Sequence, residues 1–135
     1  MKKLKLLDSF ALLAYLKKES NFEKIKDIFI LFQKSGQKLL MNEINIGETY
    51  YILAKERGLE IADYFLQNIL GALPIKPLSN SFSEVIEAAK IKAQYPISYA
   101  DAFVVATALR ERIPVLTGDP EFEKVKHLIE IEWLS

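Results

Sequence analysis

Five acids occupy the positions where this sequence could do chemistry. Asp8 follows the apolar pair Leu6-Leu7, and Glu43 and Glu48 follow the run Leu39-Leu40-Met41. Asp101 lies three residues after Ser98, and Asp119 follows Val115-Leu116-Thr117-Gly118. Carboxylates that converge in one cleft repel one another, which is tolerable when cations sit among them. Hard divalent ions suit such a site, because they prefer oxygen ligands and commonly take one or two carboxylates plus water and substrate phosphate. With no Cys and a single His, His127, the chain lacks a soft-ligand or His-clustered zinc site, so Mg²⁺ or Mn²⁺ is the expected ion. Each acid also has a local structural role open to it. Asp8 or Ser9 could N-cap a helix, Asn45–Glu48 and Ser98–Asp101 have capping-box spacing, and Asp119-Pro120 reads as an N-cap followed by Pro at the first helical position. A cap can equally be Ser, Thr or Asn, yet here an acid recurs at each turn from strand to helix.

The elements that must position these acids follow from apolar periodicity and punctuation. Short apolar runs alternate with longer helical patterns, which predicts βαβ units around a mainly parallel sheet flanked by helices, a three-layer α/β sandwich. Strands are expected over 3–8, 38–42, 114–117 and 129–133, with a short or edge strand at 74–78, where each Pro removes a ladder donor. Helices are expected over 10–18, 22–34 (capped by Ser20 with Glu23), 46–57 and 59–73. Further helices run from the Ser81–Glu84 box to 94, from Ser98 to 110, and over 120–126. On 59–73, helical spacing gives a core stripe of Ala62, Phe65, Leu66, Ile69 and Leu73. Ile61, Tyr64 and Ala72, with Tyr50 and Tyr51 before them, are surplus apolar surface that fits an interface. In parallel α/β folds ligands bind outside the carboxyl ends of the strands, which is where the acids fall.

Composition sets the outer limits. The 135 residues suit one domain spanning 1–135, and half are hydrophobic, enough for a core and against intrinsic disorder. The longest uncharged stretch, 64–75, is well short of the roughly 20 residues that span a bilayer, so no membrane partner is expected. Lys2, Lys3 and Lys5 before Leu6-Leu7 imitate a signal peptide, but Asp8 breaks the apolar region at once, and the expected location is the cytoplasm. A formal net charge of zero excludes a protein that coats nucleic acid by bulk electrostatics, while leaving room for an enzyme that touches a few phosphates. Lys17, Lys18, Lys90, Lys92, Arg110 and Arg112 are more plausibly solvated helix ends than an RNA path, His127 a surface residue, and Trp133 a strand anchor.

Four segments, in order, resemble the motifs of PIN-domain ribonucleases. Leu6-Leu7-Asp8-Ser9-Phe10-Ala11-Leu12-Leu13 is similar to the opening motif, an Asp followed by Ser or Thr after an apolar strand. Residues 40–48, ending in Glu48, resemble the second motif, whose acid is its final Glu. Residues 98–108 resemble the third, and Val115-Leu116-Thr117-Gly118-Asp119-Pro120-Glu121-Phe122 the fourth. The resemblance spans nearly the whole chain and implies a PIN-like sandwich with metal-dependent endonuclease activity on RNA. A chain this short most resembles the VapC toxins of VapBC toxin–antitoxin pairs, implying a homodimer and a VapB-type antitoxin as partners. On this reading Asp8, Glu48, Asp101 and Asp119 hold one or two Mg²⁺ or Mn²⁺ ions for in-line phosphodiester hydrolysis, with Ser9 and Thr117 orienting the carboxylates. Glu43, five residues before Glu48, is the alternative second acid. A receiver-type signalling domain would need an acidic pair at the first strand end and a Lys after the last strands, and neither is present. A haloacid-dehalogenase-type phosphatase would need a second Asp where Phe10 stands. A PIN fold that only binds RNA or a partner is the remaining alternative, and four intact acids weigh against it.

Overall fold

The computed structural model of the protein describes residues 4–135. Leu6 and Leu7 are sequence neighbours and both fully buried, which a strand achieves only when its two faces are both covered. These residues form β1 (Leu6–Leu7), which is joined in one sheet by β2 (Leu39–Asn42), β3 (Ile75–Leu78), β4 (Val115–Thr117) and β5 (Ile131–Trp133). The order is β3-β2-β1-β4-β5, and every neighbouring pair is parallel.

Side chains alternate between two apolar layers. Leu7, Leu39, Met41 and Leu116 pack with α1 (Ser9–Leu16), α2 (Phe22–Ser35), α3 (Glu43–Arg57) and α4 (Leu59–Tyr64) through residues such as Leu12, Phe32, Leu53 and Ala62. Leu6, Leu40 and Val115 face the other way, onto α5 (Phe82–Gln94) and α6 (Tyr99–Glu111) and a 3₁₀ turn at Pro120–Val125, through Ala88, Phe103, Val104 and Phe122. The result is the expected three-layer sandwich. Full burial of each Leu-sized side chain stabilises it by about 1.5–3 kcal/mol. No helix among the described residues is long and apolar enough to cross a membrane.

The strand order reverses between β1 and β4, so connections leave their carboxyl ends in opposite directions and open a crevice there. This order also differs from the 2-1-3-4-5 arrangement of receiver-type domains, which removes that alternative.

Several boundaries depart from the sequence reading for identifiable reasons. The first strand is shorter than 3–8, and Lys3 lies outside the described residues. Ser20 does not cap α2: the Phe22 N–H is taken by the Glu19 carbonyl, so Asn21 becomes the N-cap, without a side-chain bond. The helix after β2 begins at Glu43 rather than 46, because the Asn42 side chain accepts from the Ile44 N–H at 2.9 Å and starts it directly at the strand end. The predicted helix over 59–73 is α4 followed by a π turn, Phe65–Ile69, and a 3₁₀ turn, Leu70–Ala72. The π turn closes when the Leu70 N–H reaches back five residues to the Phe65 carbonyl, which shifts the apolar register. Leu66 is therefore exposed instead of lying in the core stripe, and Leu70 packs against the core. The Ser81–Glu84 capping box and the edge position of β3, with Pro77, are as expected.

One glycine is required by a close approach. Gly118, in the turn after β4, lies under the Phe10 ring, and a Cβ there would stand 2.8 Å from a Phe10 ring carbon. Gly47 lies inside α3, where a Cβ would meet no atom of the described residues within 4 Å. Gly118→Ala is expected to destabilise by about 1–3 kcal/mol through overpacking. Gly47→Ala is expected to stabilise by about 0.5–1 kcal/mol by restricting the unfolded chain. Urea unfolding midpoints of the two variants should move in opposite directions.

Candidate active site

The crevice at the β1/β4 reversal is built from strand ends and helix starts. β1 and β4 are in register at Leu7 and Leu116, so Asp8 and Thr117 come level one residue later. There the Thr117 hydroxyl donates to Asp8 Oδ2 at 2.5 Å, while Asp8 Oδ1 accepts from the Ala11 N–H at 2.9 Å and caps α1. Thr117 Oγ1 in turn accepts from the Asp119 N–H at 3.0 Å, and Asp119 caps the Pro120–Val125 turn by accepting from the Glu121 N–H. Ser9 donates to Glu48 Oε1 at 2.5 Å, tying α1 to α3. Ser98 caps α6 by accepting from the Asp101 N–H at 3.1 Å. Three helix or turn N-termini therefore carry acids to one crevice, where the backbone dipoles favour negative charge.

Burial and mutual repulsion set the protonation of the inner pair. Asp8 is 1% exposed and Asp101 7% exposed. Desolvation is the main cause that pushes the Asp8 carboxyl up to about 8, opposed by the Thr117 and Ala11 hydrogen bonds and assisted by the charges of Asp101 and Asp119. Desolvation likewise pushes Asp101 up to about 7, with Asp119, Glu48 and Glu121 adding repulsion and Ser98 opposing it. Glu48 and Asp119 are half-buried at the rim. Among the described residues, no Lys or Arg forms an ion pair with any of these four acids.

Asp8, Glu48, Asp101 and Asp119 thus share one electrostatic neighbourhood, with Ser9 and Thr117 hydrogen-bonded to two of them. Glu43 is exposed at the first position of α3, while Glu48, five residues on, lies on a different helical face and meets Ser9. The capping-box reading of Asn45 with Glu48 does not hold, because both lie inside α3. Lys17 pairs with Glu19 and Glu56, and Arg110 with Glu84, Glu87 and Glu111. His127 is exposed beside Tyr95, and Trp133 is half-buried against the α5/α6 layer. Sequence reasoning missed a set of buried amides and hydroxyls behind the acids. Asn42 donates to Asn80 and Thr107, Asn45 donates to the Ala100 carbonyl, and Thr49 donates to the Asn45 carbonyl. Their signal was the placement of polar Asn42 and Asn45 in an otherwise apolar strand-to-helix passage.

The donor chemistry fits a hard divalent cation. All four side chains offer carboxylate oxygens, and each Asp8 oxygen keeps lone pairs beyond the hydrogen bond it accepts. As placed, no three acidic, His or Cys side chains among the described residues converge tightly enough to enclose one ion by themselves. Mg²⁺ does not demand that, since it usually keeps several waters and binds through one or two carboxylates.

The raised acids make a signed statement about stability. Their folded-state values lie above the ordinary 3.8, so between about pH 4 and 8 the folded protein holds protons that the unfolded chain has released. In EDTA, stability is expected to be greatest near pH 4–5 and to fall as pH rises through that window. Asp101→Asn is expected to flatten the decline, read as urea midpoints at several pH values.

The PIN domain family model matches residues 5–128. No curated protein matches the sequence significantly. Among solved structures, the chain is similar to one in the DNA-bound VapBC of Salmonella typhimurium, at 18% identity and a TM-score of 0.75, covering 99% of this chain and 100% of that one. VapBC2 from Rickettsia felis bound to a promoter DNA fragment gives 14% identity, a TM-score of 0.73, and 96% and 97% coverage. Mycobacterium tuberculosis VapC20, described as a sarcin-ricin loop cleaving toxin, gives 13% identity, a TM-score of 0.69, and 89% and 93% coverage. At these identities the structures speak for the fold, and the match over residues 5–128 speaks for the family: this chain belongs to the PIN domain family.

Proposed function

We propose that this protein is a divalent-metal-dependent endoribonuclease, acting as the toxin of a VapBC-type pair in the cytoplasm. The observation that carries the reading is the burial of Asp8 and Asp101 beside two further carboxylates, with no paired Lys or Arg among the described residues, at the crevice of the parallel sheet. Asp8, Glu48, Asp101 and Asp119 would hold the ion or ions. Bound there, Mg²⁺ or Mn²⁺ supplies Lewis-acid stabilisation of a phosphodiester and a water of lowered pKa. The chain's own part is to fix geometry and charge. Thr117 orients Asp8 and the backbone of Asp119, and Ser9 orients Glu48. Asp8 and Asp101 must give up their protons when the cation enters, which couples binding to pH.

RNA as substrate is supported by the family and by a structural relative described as cleaving the sarcin-ricin loop. A VapB-type antitoxin is supported by relatives that are VapBC complexes. Homodimerisation is supported by exposed Tyr51, Leu59, Ile61, Tyr64 and Leu66 around α4 and its π turn, a larger apolar surface than scattered residues would make.

Purified protein is expected to cleave single-stranded RNA with Mg²⁺ or Mn²⁺ and to stop in EDTA, and Asp101→Asn should abolish cleavage without loss of folding. Glu48→Gln should lose most activity and weaken Mn²⁺ binding, while Glu43→Gln should behave as wild type in the same gel assay and titration. Light scattering at tens of micromolar should give the mass of two chains.

A further inference from the structure

Two buried amides link the helix that carries Glu48 to the helix that carries Asp101. Asn42 and Asn45 are both fully buried, one turn apart at the start of α3. Asn42 Nδ2 donates to Thr107 Oγ1 at 3.0 Å, and Asn45 Nδ2 donates to the Ala100 carbonyl at 3.2 Å. The two bonds therefore grip α6 two turns apart. Asn42 has further work, since its Oδ1 caps α3 and accepts from Asn80. Asn45 has no such second role: its Oδ1 is buried without a hydrogen-bond partner among the described residues. A half-satisfied buried amide costs folding free energy, so a residue needed only to fill this space would be apolar. What distinguishes the position is its neighbours. Glu48 lies one turn further along α3, and Ala100 immediately precedes Asp101. Glu48 and Asp101 repel each other, so the two helices are pushed apart at the point where the amide holds them.

We propose that Asn45 is a positioning residue that clamps α3 to α6 against the like charges of Glu48 and Asp101, so that both carboxylates serve one cation. The mechanics of the clamp stand on the hydrogen bond and the placement of the acids. Its purpose rests on the metal-nuclease reading. A hydrogen bond to a backbone carbonyl suits this task, because it draws the helices together without adding charge to the cluster.

The test is a double-mutant cycle on the full chain in EDTA at about pH 8.5, where Asp101 is ionised, with Asn45→Ala, Glu48→Gln and the pair, read by urea unfolding. Glutamine keeps an acceptor for Ser9, so the cycle isolates the charge. If Asn45 holds the two charges close, Glu48→Gln should raise the folding equilibrium at least about fivefold more in the wild type than in the Asn45→Ala background, where the helices are free to part. Additive effects would overturn the clamp. Should Asn45→Ala fail to fold, Asn45→Ser enters the same cycle under the same criterion. In parallel, Mn²⁺ titrated by electron paramagnetic resonance should bind the Asn45 variant about tenfold more weakly. A coupled cycle with unchanged Mn²⁺ affinity would overturn the purpose of the clamp at the cation. A wild-type protein that binds no Mn²⁺ would instead contradict the nuclease reading, and the cycle would still decide the clamp.

Discussion

Repulsion among carboxylates is the constraint on which this structure turns. Burying an acid favours its neutral form, and burying two beside two more raises that penalty again. Asp8 and Asp101 bear it, held up to about 8 and about 7 chiefly by desolvation. A fold under no functional demand would place Asn or Ser at the Asp8 cap, since either caps a helix as well as Asp, and an uncharged residue at position 101, and so avoid the cost. On the proposed reading, the acids are one half of an interaction whose other half is a cation.

The rest of the architecture makes that arrangement sustainable. Parallel strands covered on both faces bring β1 and β4 side by side in a dry interior, and their reversal leaves one crevice at the carboxyl ends. N-termini of α1 and the Pro120–Val125 turn point donors at Asp8 and Asp119, and the Thr117 and Ser9 hydroxyls take up carboxylate lone pairs. Behind these, Phe10 lies on Gly118, so α1 braces the turn that presents Asp119. The Asn42 and Asn45 amides brace α3 on α6. Each brace joins two elements that carry acids, which is what a repelling cluster needs in order to stay assembled.

Much of this was legible in the residues before any coordinates. Alternating apolar runs pointed to the layer order because both faces of the central strands are covered, and turn chemistry at Ser81 and Ser98 marked helix ends that the structure keeps. The acids were visible because they follow apolar strands. Local geometry was less legible where backbone donors were claimed by unexpected partners. Ser20 lost its cap role to the Glu19 carbonyl, and Asn42 started α3 three residues early. The π turn after α4 was invisible because its apolar spacing also fits a plain helix, and only tertiary packing chose Leu70 over Leu66. The choice between Glu43 and Glu48 depended on that same early helix start, which sets the face each one occupies.

If the buried acids form a cation site, an entering cation must displace their protons, and that release is its most direct test. Mn²⁺ titrated calorimetrically near pH 6.5, in buffers of differing ionisation enthalpy, reports both affinity and protons released. The expected result is binding that expels protons, with the release diminished in Asp101→Asn. Binding with no proton release, or none at all, would contradict it.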